Sequence, residues 1–229
     1  MVALSAAVVG GSVVLSQIAS PPSGATAAVT VSSDESPAPQ LSVPGIERLV
    51  VYGHSMPAGG GASDPSKGYA VLAAEALGLE LVNHAVGGTG AANATKIMEA
   101  APPAGPQDAV VLHTGMNDIF RRGDAAVARG RQAIRHFLAG TADAGRRVIV
   151  LECQPGSWQY TPPGRDLQSA YEAWNDMLRE ESAAWPDVDL LDVCEKWDPR
   201  RFTNVRRYHP NDVGHARMAA ELAATLASS

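Results

Sequence analysis

Several things are scarce in this chain. It has two cysteines, three phenylalanines and 5% aromatic residues in 229 positions. Neither cysteine has a second cysteine or a histidine at ligand spacing, so there is no sequence pattern for a bound metal. No Lys or Arg precedes Arg48, and no basic domain follows it. With a formal charge of −6, that argues against nucleic-acid binding as the main role. No long hydrophobic run occurs either. The apolar stretch from Val2 to Leu15 falls short of the roughly 20 residues a membrane span needs.

That same stretch has the length of the apolar region of an export signal. "ATA" at Ala25–Ala27 resembles a small-residue cleavage site, although a basic start is missing. Residues 1–28 read as a signal peptide or apolar leader, with an uncleaved anchor or a disordered tail as the alternatives. Residues 29–46 read as a Pro/Ser-rich linker. The expectation is a secreted or envelope-associated protein with its working domain over residues 47–229. At 45% apolar residues there is ample chain for a core.

From residue 48 the chain alternates strand and helix. Strands are predicted at 48–53, 79–86, 108–115, 146–152 and 188–193, and helices at 66–78, 92–100, 124–145, 166–185 and 211–227. Ser66 is the expected cap of the first helix, Gly78 its stop, and Asn211 or Asp212 the cap of the last. Leu167, Tyr171, Trp174 and Leu178 recur at helical spacing and read as core. Five such repeats predict an α/β domain: a three-layer α/β/α, flavodoxin-like fold on a five-stranded parallel sheet. Ligands bind such sheets beyond the carboxyl ends of the strands.

Four segments end there. "YGHS" closes the first strand, "NHAVGGTG" the second and "TGMND" the third, while "YHPNDVGHARMA" opens the last helix. Singly each is an ordinary turn or cap. Together, in this order and at these boundaries, they resemble the four blocks of the SGNH, or GDSL-type, hydrolase family, over residues 48–228. The resemblance implies Ser55 as nucleophile and His209 as base. It implies an oxyanion hole from the Ser55 amide, the Gly88 amide and the Asn117 side chain. Acyl transfer needs such parts: a hydroxyl, a base that titrates near neutrality and donors aimed at a developing oxyanion. No metal and no cofactor are expected.

Two positions depart from the family pattern. His54 stands where the first block usually has Asp. A second imidazole beside the serine raises the idea of His54 as base, but adjacent side chains diverge at a strand end, which favours His54 beneath the sheet edge or as a loop cap. Arg206 stands three residues before His209, where an orienting Asp is usual. An arginine cannot accept the imidazole N–H. Three alternatives follow: His209 donates to a main-chain carbonyl as part of a Ser–His dyad, Asp198 or another acid of the preceding loop orients it, or the protein is weakly active or inactive.

Arg200, Arg201, Arg206 and Arg207 form a basic cluster that either attracts an anionic ester or pairs on the surface. His84, His113, His136 and His215 read as packing or surface residues. Cys153 and Cys194 both follow strands, and either form a disulfide or remain buried thiols. The expected activity is carboxylic-ester hydrolysis on a small-molecule or glycan substrate. Carbohydrate O-deacetylation or acyl transfer, and binding without turnover, are the rivals.

Overall fold

A computed structural model of the chain describes residues 41–142, 146–153, 167–193, 195–204 and 209–228. The apolar leader, most of the linker, Cys194, Arg206, Arg207 and Tyr208 lie outside the described residues.

The strands are β1 (Arg48–Gly53), β2 (Glu80–Asn83), β3 (Asp108–His113), β4 (Val148–Leu151) and β5 (Val188–Leu191). They form one sheet in the order β2-β1-β3-β4-β5, every neighbouring pair parallel. β3 and β4 are buried along their whole length, which explains their unbroken apolar runs. β2 and β5 are the edges, and most of their residues are partly exposed.

The helices are α1 (Tyr69–Leu77), α2 (Ala91–Ala100), α3 (Met116–Arg122), α4 (Ala125–Thr141), α5 (Leu167–Ser182), α6 (Pro199–Phe202) and α7 (Asp212–Ala227). The chain moves one way across the sheet from β1 to β2 and the other way thereafter. Right-handed crossovers therefore put α1 on one face and α2, α4 and α5 on the other. Accordingly α1 packs on α7, α2 on α4, and α4 on α5. The direction reverses at β1, so the crevice at the carboxyl ends of β1 and β3 is the topological switch point.

The expected core residues Leu167, Tyr171, Trp174 and Leu178 are all buried. Gly78 ends α1 with a left-handed φ of 67°. Other details differ. Ser66 does not cap α1. It lies in a 3-10 turn at Pro65–Lys67 that Asp64 caps, and α1 starts at Tyr69 with no side-chain cap. Of the two candidates for α7, Asn211 is the cap, accepting from the Gly214 amide. The short helices α3 and α6 were not foreseen, because seven and four residues are too few to display a helical period. Among the described residues, no helix is long and apolar enough to cross a membrane.

At the amino edge of the sheet, charges are tightly paired. Arg48 donates to both carboxylate oxygens of buried Asp108, at 2.6 and 2.7 Å. Arg147 donates to Asp189 and to the carbonyls of Thr225 and Leu226 at the end of α7.

Candidate active site

The site begins with the turn out of β1. Gly53 has φ +147°, and a side chain there would strike the His113 carbonyl of β3. The turn sends successive side chains apart. His54 goes inward and is 1% exposed, whereas Ser55 stays partly open. The His54 Nδ1 accepts from the Met56 amide at 3.2 Å, so its proton sits on Nε2, which is buried and has no hydrogen-bond partner among the described residues. Burial, aided by nearby His209, holds the His54 pKa down at about 3.

His209 comes from the loop before α7. Main-chain bonds fix that loop: Thr203 bridges Pro210, the Asn204 amide donates to the His209 carbonyl at 2.8 Å, and the Asn211 amide to the Phe202 carbonyl at 2.9 Å. The Asn211 side chain adds bonds to the carbonyls of Arg201 and Thr203. The result places His209 Nε2 2.7 Å from Ser55 Oγ. The ring is partly buried, and burial lowers its pKa below the ordinary imidazole value.

Among the described residues, none makes a hydrogen bond to the second ring nitrogen of His209. Asp198 is engaged elsewhere: its carboxylate accepts from the Arg200 amide at 2.9 Å and caps α6. Arg206 lies outside the described residues. Of the basic cluster, Arg201 lies over the Phe202 ring, 5.1 Å from its centroid.

The loop after β2 runs beside Ser55. A methyl group added at Gly87 would sit 3.9 Å from Ser55 Cβ. Gly88 is exposed with φ +79°, and its carbonyl accepts from Arg121 Nη2 at 2.7 Å. Asn117, in the first turn of α3, donates through Nδ2 to the Thr89 carbonyl at 2.9 Å. That bond orients the amide and leaves its second N–H without a partner among the described residues. Asp118 accepts from the Ala91 amide at the start of α2, and burial raises its pKa.

Three features escaped the sequence reading. Gly60 and Gly61 press on His209: a methyl at Gly60 would lie 3.1 Å from its Cδ2, and one at Gly61 2.5 Å from its Cβ. The "GGG" run was the available signal. His215, expected as packing or surface, is fully buried, takes a hydrogen bond from the Tyr69 amide and faces the Gly60 carbonyl. Glu152, just past β4, is buried beside Arg179 and Asp192, and burial and then the Asp192 charge push its pKa up to about 7. Cys153 is buried, its Sγ 3.2 Å from the Thr114 carbonyl. Cys194 lies outside the described residues. Among the described residues no group of three or more His, Cys, Asp or Glu is arranged to hold a metal ion.

A model of the GDSL-like lipase/acylhydrolase family matches residues 51–217. A member of the lipolytic protein G-D-S-L family from Veillonella parvula is similar with TM-score 0.67 at 17% identity, over 80% of this chain and 100% of that one. A lipase/acylhydrolase from Enterococcus faecalis is similar with TM-score 0.65 at 16% identity, over 80% and 96%. At these identities the solved structures speak to the fold. No curated protein matches the sequence. The family model takes in well over half the residues, including both segments that carry Ser55 and His209, and the chain belongs to the GDSL-like lipase/acylhydrolase family.

Proposed function

We propose that the protein is a serine hydrolase that cleaves carboxylic esters through an acyl-enzyme. The observation that carries this reading is the 2.7 Å approach of Ser55 Oγ to His209 Nε2 at the switch point of the sheet. In acylation the Ser55 oxygen attacks the ester carbonyl carbon and its proton passes to His209 Nε2. The carbonyl π electrons move onto oxygen, and the oxyanion takes hydrogen bonds from the second Asn117 N–H and from main-chain amides of Ser55 and Gly88. Collapse expels the alcohol, which receives the proton from His209. Water then attacks the acyl-enzyme with His209 again as base, releasing the acid and restoring Ser55.

The lowered pKa of His209 supports its role as base, because the ring is neutral and accepting at neutral pH. The depressed pKa and burial of His54 speak against it as the base. A fluorophosphonate probe tests the reading. The wild-type chain is expected to be labelled on Ser55 and Ser55→Ala to be silent. An unlabelled wild type, or label retained by Ser55→Ala, would overturn it.

A further inference from the structure

We propose that His215 is a positioning residue. It clamps the Gly60–Gly61 loop against His209 and fixes the imidazole by packing, where a carboxylate would do so by charge. This rests on the reading of Ser55 and His209 as nucleophile and base.

The tautomer of His215 follows from its neighbours. Its Nδ1 accepts from the Tyr69 amide at 3.1 Å, so its proton resides on Nε2, which donates to the Gly60 carbonyl at 3.2 Å. One ring thus joins two orphans. The first is an N–H at the start of α1, where Gly68 supplies no side-chain cap. The second is the carbonyl of a glycine loop that no strand holds. The ring is buried and stacked on Tyr69 at an interplanar angle of 19°, so it has little freedom to rotate.

Gly60 is held from both sides. Its amide donates to the Ser55 carbonyl at 2.6 Å, and its carbonyl takes the His215 bond. Downstream, Ser63 donates through amide and hydroxyl to the Asp212 carboxylate, each at 2.7 Å, and Lys67 Nζ meets the same group at 2.8 Å. The loop so tethered lies on the His209 ring edge. A methyl at residue 60 would also come 2.7 Å from the Ser55 carbonyl, and one at residue 61 would strike the Pro210 carbonyl. The glycine loop thus packs closely against one side of His209. His215, Asp212 and His209 sit within seven positions of one another, so one segment supplies both the base and its brace.

His215→Phe tests this, because it keeps an aromatic ring against Tyr69 and removes both hydrogen bonds. Displacements near 1 Å in catalytic geometry reduce turnover by up to about 10²-fold. His215→Phe is expected to lower kcat roughly 10- to 100-fold with KM within about twofold. Its fluorophosphonate labelling rate should fall in parallel. His215→Gln, whose amide offers one donor and one acceptor, should recover much of the loss. A crystal structure of His215→Phe should show residues 59–61 lifted from His209 and the imidazole turned. A folded His215→Phe with wild-type kcat and labelling rate would overturn the proposal, as would a loss that His215→Gln does not relieve. If His215→Phe fails to fold, Gly60→Ala displaces the same loop with His215 intact and should lower kcat without raising KM; an unchanged kcat there also overturns it. Failure of the underlying reading looks different: the wild type itself goes unlabelled, and the position of the His209 ring in the variant structure still decides whether the clamp exists.

Discussion

The two rims of the sheet are built on opposite plans. At the amino rim, Arg48 grips buried Asp108 through two hydrogen bonds, and Arg147 ties Asp189 to the end of α7. In both pairs a buried or half-buried charge meets its opposite. At the carboxyl rim, imidazoles and an amide N–H gather, His54 Nε2 is buried with no hydrogen-bond partner among the described residues, and Glu152 lies close to a second carboxylate. An unsatisfied buried donor costs about 1–3 kcal/mol. The amino rim is arranged for stability, whereas the carboxyl rim keeps groups poised at the expense of stability.

The largest effect that would sharpen this contrast is expected at His209. His209→Ala should reduce ester turnover on the order of 10⁶-fold, as loss of a unit-acting catalytic group does, with little change in Tm. The wild-type pH profile belongs to the same test. Because burial lowers the His209 pKa, the ring stays neutral further into acid than a free imidazole. The acidic limb of kcat/KM should therefore fall below about pH 6.5. An acidic limb above that value contradicts the assignment.

Next is Asn117→Ala, which removes one donor and should lower kcat by about 10²–10³-fold with KM nearly constant. At the other rim, Arg48→Ala strands the Asp108 carboxylate. It should lower the midpoint of a denaturant titration, because the buried carboxylate loses its charged partner. Its kinetic constants well below Tm should match wild type, and a kinetic defect would break the division between the rims.

The smallest effect concerns Glu152. A carboxyl whose folded pKa exceeds its unfolded one binds more protons when folded. Stability should thus decline as pH rises from about 4.5 to about 7. Glu152→Gln should flatten that portion of the Tm-against-pH curve.

What the sequence made legible follows the range of the forces involved. β3 and β4 are covered on both faces, so they appear as plain apolar runs, and Gly78 announces the end of α1 by itself. The four strand-end segments were legible through their joint resemblance to a family. The fate of Asp198 was also written locally, since an acid directly before proline is a helix-start signal, and capping α6 is the role it takes. The brace on His209 was not legible. It depends on contacts between residues about 150 positions apart, which no local period records. From its position in the sequence His215 reads only as a packing or surface residue, and its partners at Gly60 and Tyr69 distinguish it.

The last helix is fastened at both ends. Asn211, Asp212 and His215 bind it to the loops at one rim of the sheet, and Arg147 holds its final carbonyls at the other. Sixteen helical residues span roughly 24 Å. The helix therefore works as a tie-rod across the molecule, and fraying near Thr225 would be transmitted as slack to the place where serine and imidazole meet.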